Sequence, residues 1–185
     1  MAKGKKDQAD KGRRLGRRTR RRLQFLIGGS VAVVAAVVIG YFAYRAVADL
    51  PGTSYPDLGN AHIQAPTEAH APYNSDPPTS GPHLPYIAPW GIHAEPIPKE
   101  LQVHNLEDGG VVVQYHCPAG CPDLVDKLKA IVQRYERQVI LAPYAGMKTR
   151  IALTAWTRLD AFDEFDEARI VRFIRAYRGI DHHRG

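Results

Sequence analysis

The residues with the strongest claim to chemistry are two histidines and two acids, His83, His104, Glu107 and Asp108. Imidazole nitrogens together with carboxylate oxygens make a mixed donor set of the kind that holds zinc, copper or nickel. His83 ends the run 73–83, YNSDPPTSGPH, and His104 opens the run 104–110, HNLEDGG. In the first run Asp76-Pro77-Pro78 and Gly81-Pro82 fix backbone turns, while Asn74, Ser75, Thr79 and Ser80 can bond neighbouring amides. Such a stiff cluster can hold an imidazole ready for a ligand; it can equally close a loop without a helix or strand. If 73–83 folds back on 104–110, both imidazoles converge with the Glu107 or Asp108 carboxylate, which then fixes the ligating tautomer or completes the shell. Otherwise these histidines are hydrogen-bonded anchors of the loop.

A second stretch, CPAGCP, places Cys117 and Cys121 between a predicted strand and a predicted helix. One reading is a disulfide joining Cys117 to Cys121 and closing a tight loop. The other is a pair of thiolates, their pKa lowered by the helix N-terminus, which with His116 form a soft set suited to Cu(I). The spacing resembles, over six residues, the Cys-x-x-x-Cys-Pro motif of the copper-delivering Sco proteins, and this implies thiol-based redox or copper handling as an alternative function. No Gly-x-Ser-x-Gly elbow, phosphate-binding loop, dinucleotide fingerprint or His-Glu-x-x-His is present, so no catalytic residue is assigned. His182 and His183, beside Asp181 at the end of the chain, read as a frayed tail.

These residues need elements to position them. Residues 61–100 hold nine of the chain's 14 prolines, yet Tyr73, Leu84, Tyr86, Ile87, Trp90, Ile92 and Ile97 supply apolar anchors that a solvated linker lacks. They predict a long ordered loop wrapped over the core. Residues 102–106 and 111–116 read as two strands joined by a tight reversal at Asp108-Gly109-Gly110, hence a hairpin. Pro122 opens a helix reaching about Tyr135, with Leu124, Val125, Leu128, Ile131 and Val132 on its apolar face. Strands follow at 139–142 and 151–156 around a turn at Gly146, then an amphipathic helix over 163–177 stopped by Gly179. This order predicts an α+β domain: a mainly antiparallel sheet, two packed helices and the Pro-rich ordered loop, preceded by one transmembrane helix.

The charge distribution explains the front of the chain. Of the 25 Lys and Arg residues, eleven lie in residues 1–22, leaving 14 basic against 17 acidic groups elsewhere. The basic pI therefore belongs to a tail, and a globular nucleic-acid binder is not implied. Residues 23–44 carry no charge and are long enough as a helix to span a hydrocarbon core. The cations before this span place the N-terminus in the cytoplasm and the rest of the chain outside the cell membrane. Ala46-Val47-Ala48 offers a small-residue cleavage pattern, but the apolar region exceeds that of a signal peptide, which favours an uncleaved anchor. Gly28, Ala32, Ala36 and Gly40 form one small-residue face, suited to a homo-oligomer through close helix approach. The predicted organisation is a basic cytoplasmic tail (1–22), the transmembrane helix (23–44), a linker (45–60) and an extracytoplasmic domain (61–180).

The runs YNSDPPTSGPH and HNLEDGG, with Trp90-Gly91, IALTAW and FDEARI further on, resemble a bacterial membrane-anchored family known as domain of unknown function 3105. The resemblance covers nearly all of the outside domain. It implies a membrane-tethered extracytoplasmic domain and carries over no activity. Members often read HNLEHGG, whereas this chain has Asp108 at the place of the second histidine. Together these readings make non-catalytic binding of a partner or transition metal, copper or zinc, the first expectation. Thiol-based redox or copper handling is the second and an envelope scaffold the third.

Overall fold

The computed structural model describes residues 24–26, 28–30, 32–45 and 49–183. The basic tail at 1–22 and the Ala46-Val47-Ala48 run lie outside the described residues. The chain divides into two compact units, Met1–Leu50 and Pro51–Gly185.

The first unit carries α1, Gln24–Arg45, which is apolar and long enough to cross a membrane. At 1.5 Å per residue its length is about 33 Å. The Ser30 hydroxyl donates to the Leu26 carbonyl, 2.9 Å away, so this polar side chain is satisfied within the helix.

In the second unit a six-stranded sheet runs in the order β1-β6-β5-β3-β4-β2. The strands are β1 (Thr53–Ser54), β2 (Gly91–Ile92), β3 (Val111–Tyr115), β4 (Val139–Pro143), β5 (Ile151–Ala155) and β6 (Arg158–Phe162). The helices are α2 (Lys99–Glu107), α3 (Pro122–Val132) and α4 (Glu167–Tyr177). The sheet is mixed: β4 pairs in parallel with both β2 and β3, while β3–β5, β5–β6 and β1–β6 are antiparallel. The parallel β3–β4 pair needs a crossover, and α3 supplies it.

The central strands VVVQY, VILAP and IALTA are near-continuous apolar runs because both faces of the sheet are covered. Val112, Ile140 and Ala142 pack against Val103 and Leu106 of α2, with Ala88, Ile97 and Trp156. Their alternating neighbours, Val111, Val113, Val139 and Leu141, point to the opposite face. There α3 buries Leu124, Leu128, Ile131 and Val132, and α4 buries Ile170, Phe173, Ile174 and Tyr177. An Arg134–Glu167 ion pair of 2.7 Å links the end of α3 to the start of α4.

Three expectations change. Residues 102–106 are helical rather than a strand, and Gly109-Gly110 joins a helix to a strand rather than closing a hairpin. The reason is burial: Gln102, Val103, His104, Asn105 and Leu106 are all inside, so α2 has no polar stripe to betray a helical period. Among the described residues the unit has three helices, not two. β6 and the two-residue strands β1 and β2 are additional; β1 falls in the stretch read as a linker and β2 in the Pro-rich loop.

Candidate metal centre

The last turn of α2 carries His104 and Glu107, three residues apart and therefore on one face, with Asp108 following as the cap residue. Opposite this turn the chain passes twice. Residues 59–63 run parallel to 81–83: Gly81 N donates to Gly59 O (3.0 Å), His83 N to Ala61 O (3.0 Å) and Ile63 N to His83 O (2.8 Å). A single parallel bridge joins His62 to His83. The Pro-rich segment thus behaves as the ordered loop expected of it, and Ser80, Thr79, His83 and Leu84 within it are buried.

Four side chains converge here: His62, His83, His104 and Glu107 each offer a ligand atom, and these atoms all lie within 4.8 Å of one another. His83 and Glu107 are sealed from solvent, His104 nearly so, and His62 is exposed. The ring centroids of His83 lie 5.0 Å from those of His62 and of His104, and His62 stacks on His104 at 5.4 Å.

Hydrogen bonds decide which nitrogen of each buried ring is available. His83 Nδ1 lies 2.8 Å from the Gly81 carbonyl oxygen, and His104 Nδ1 lies 2.7 Å from that of Leu84. A carbonyl oxygen only accepts, so each Nδ1 carries the proton. Nε2 is then the nitrogen each ring offers to its neighbours, and in the neutral ring it is the atom a metal would take, the arrangement that orients a metal-ligating histidine. His83 Nε2 faces Glu107 Oε2 at 3.0 Å, and the other Glu107 oxygen accepts from Asn60 Nδ2 at 2.8 Å. Burial holds the His83 imidazole below its usual pKa, outweighing the Gly81 bond and the Glu107 charge, which act the other way.

Asp108 sits at the rim rather than in this inner set. Its Oδ1 is 3.8 Å from His104 Nε2 and 3.6 Å from His183 Nε2, and His104, Asp108 and His183 form a second group of potential ligands. Sequence reasoning placed His83, His104, Glu107 and Asp108 together but missed His62 and took His183 for a loose end. Nothing near His62 in the sequence announces its role, because its position comes from loop pairing across twenty residues.

The cysteines form a separate locus. The Cys117 and Cys121 sulfurs lie at bonding distance, and both residues are half-buried. Cys121 is the N-cap residue of α3 and Pro122 its first residue. They follow the far end of β3, whose five residues span about 13 Å from end to end. His116 is half-buried beside Cys117. A soft set of Cys117, Cys121 and His116 would require the two sulfurs to be free thiolates.

Comparison with known proteins adds one match. The profile of a family described as "Protein of unknown function (DUF3105)" matches residues 64–184. No curated protein and no solved structure matches the chain.

Proposed function

The chain belongs to the DUF3105 family, whose description carries no activity, and we propose from the chemistry of its own site that it is a membrane-anchored binder of a divalent transition metal, zinc or copper(II). The observation that carries this reading is the convergence of three imidazoles and the Glu107 carboxylate, with His83 and His104 each held at Nδ1 by a backbone carbonyl so that Nε2 is the nitrogen on offer. A bare nitrogen 3.0 Å from a buried carboxylate oxygen repels it unless a cation or a proton lies between them. A metal with bonds of 2.0–2.1 Å places neighbouring tetrahedral ligand atoms about 3.3 Å apart, near the 3.0 Å between His83 Nε2 and Glu107 Oε2, and all four ligand atoms lie within 4.8 Å of one another. Imidazole with carboxylate suits zinc or copper(II), whereas Cu(I) selects sulfur donors. The arginines ahead of α1 support an orientation in which the metal-binding unit lies outside the cytoplasm.

Zinc or copper(II) is therefore expected to bind the full-length chain in detergent and to raise its melting temperature. At a hundredfold excess over the dissociation constant the stabilisation is about 2.7 kcal/mol, and a chelator reverses it. Glu107→Gln and His62→Ala, the second at an exposed position that leaves the core intact, each weaken binding at least about tenfold. Isothermal titration with each metal measures this; melting indifferent to metal and chelator in the wild-type chain overturns the reading.

A second reading is kept for Cys117 and Cys121, favoured by their closure across the N-terminus of α3 in a half-exposed position. It makes the pair a reversible redox couple. Equilibration in glutathione buffers followed by alkylation tests it: reduction near the potential of that pool supports exchange, and resistance to reduction leaves a structural clasp.

A further inference from the structure

Beyond α4 the chain turns at Gly179 and lies back across the end of α2. Gly179 N donates to Gly109 O at 2.8 Å and His182 N to Glu107 O at 2.9 Å, so residues 179–182 are docked on the very turn that presents Glu107. The bareness of Gly109 allows this: a Cβ there would stand 2.8 Å from both the backbone N and O of Ile180. The His182 ring stacks on Trp156, with centroids 5.8 Å apart and planes within 20°. This segment is seated, and it ends by aiming an imidazole at the rim of the metal centre.

That imidazole is arranged like the two buried ones. His183 Nδ1 lies 2.8 Å from Asp181 Oδ1, and the same oxygen accepts the His183 backbone N–H at 2.9 Å. With Nδ1 held by the Asp181 carboxylate, His183 Nε2 lies 3.4 Å from Glu107 Oε2 and 3.6 Å from Asp108 Oδ1. One imidazole nitrogen and two carboxylate oxygens thus meet within reach of a single cation, a mixed donor set of the same kind as the inner one.

We propose that His183 is a further ligand of the metal held by His62, His83, His104 and Glu107, and that residues 179–183 form a strap whose release opens the coordination position through which metal exchanges. The proposal rests on the metal-binding reading above. The burial pattern sets the direction of exchange: His83 and Glu107 are sealed, while His62 and His183 are exposed. A ligand on a short docked segment is the one that can leave without disturbing the core. The site so described takes up and yields a divalent metal, in contrast to a closed structural site.

The test uses the full-length chain in detergent with Co(II) and Zn(II) as probes. His183→Ala, and a chain ending after Ile180, are compared with the wild type. The expected results are a Zn(II) affinity lower by at least about tenfold, a changed Co(II) d–d spectrum, and faster metal release to a chelator in both variants. Amide exchange at Gly179 and His182 is expected to slow on metal binding in the wild type and to ignore metal in His183→Ala. Wild-type affinity and spectrum in both variants, with binding still lost in Glu107→Gln, overturn the strap and leave the metal site standing. Failure of the wild type to bind either metal overturns both.

Discussion

Away from the candidate metal centre, one side chain shows how hydrogen bonds and nearby charges together set a titration. Burial pushes the Asp76 carboxyl up, but hydrogen bonds from Tyr144 Oη and Lys99 Nζ, the latter at 2.9 Å, with the charges of Lys99 and Lys148, hold it below its ordinary value. A depressed carboxyl favours the folded state above its unfolded pKa of about 3.9, and that contribution is lost as pH falls through the folded value. Tyr144→Phe removes one donor. It is expected to move the Asp76 titration upward, read by NMR of the side-chain carboxyl, and to leave less stability to lose on the acid side. At this scale the sequence is legible where chemistry is local. His104, Glu107 and Asp108 announce themselves by spacing along one turn. His62 does not, because its neighbour His83 is brought alongside by backbone pairing of two irregular segments, which has no periodic signature.

Elements repeat the lesson. α4 is plain in the sequence: it carries an apolar stripe and has Asp166 as its N-cap, the carboxylate accepting from Arg169 N at 3.0 Å. Arg169 in turn forks onto Asp160 of β6 with bonds of 2.9 and 2.5 Å, tying the first turn of the helix to the sheet. Asp166→Ala is expected to cost about 1 kcal/mol. A lowered urea midpoint with an unchanged slope would register that loss. α2 is the opposite case. Its interior position lets Gln102 bond the Ile97 carbonyl and Gln114, and lets Asn105 bond both backbone groups of Ala88, so polar residues sit inside as readily as Val103 and Leu106. Buried, satisfied polar groups erase the contrast on which sequence periodicity depends. The α3 crossover was legible as a helix, but the parallel pairing it creates was not, since strand order is fixed by contacts far apart in the chain.

For the whole molecule the predictions concern placement and preparation. With the arginines ahead of α1 retained in the cytoplasm, protease added from outside is expected to digest residues beyond about 50 and spare an epitope placed in the first 22. Immunoblotting of intact cells with the outer barrier opened makes that measurement, and protection of the C-terminal unit would reverse the orientation. The docked segment 179–183 also bears on how the protein is purified. A run of six histidines fused after Gly185 would hover within a few residues of His183, at an effective concentration in the millimolar range for so short a tether. It would then compete for the same ion, inflate the apparent stoichiometry and mask the effect of any ligand variant. An affinity handle at the other end of the chain avoids the artefact.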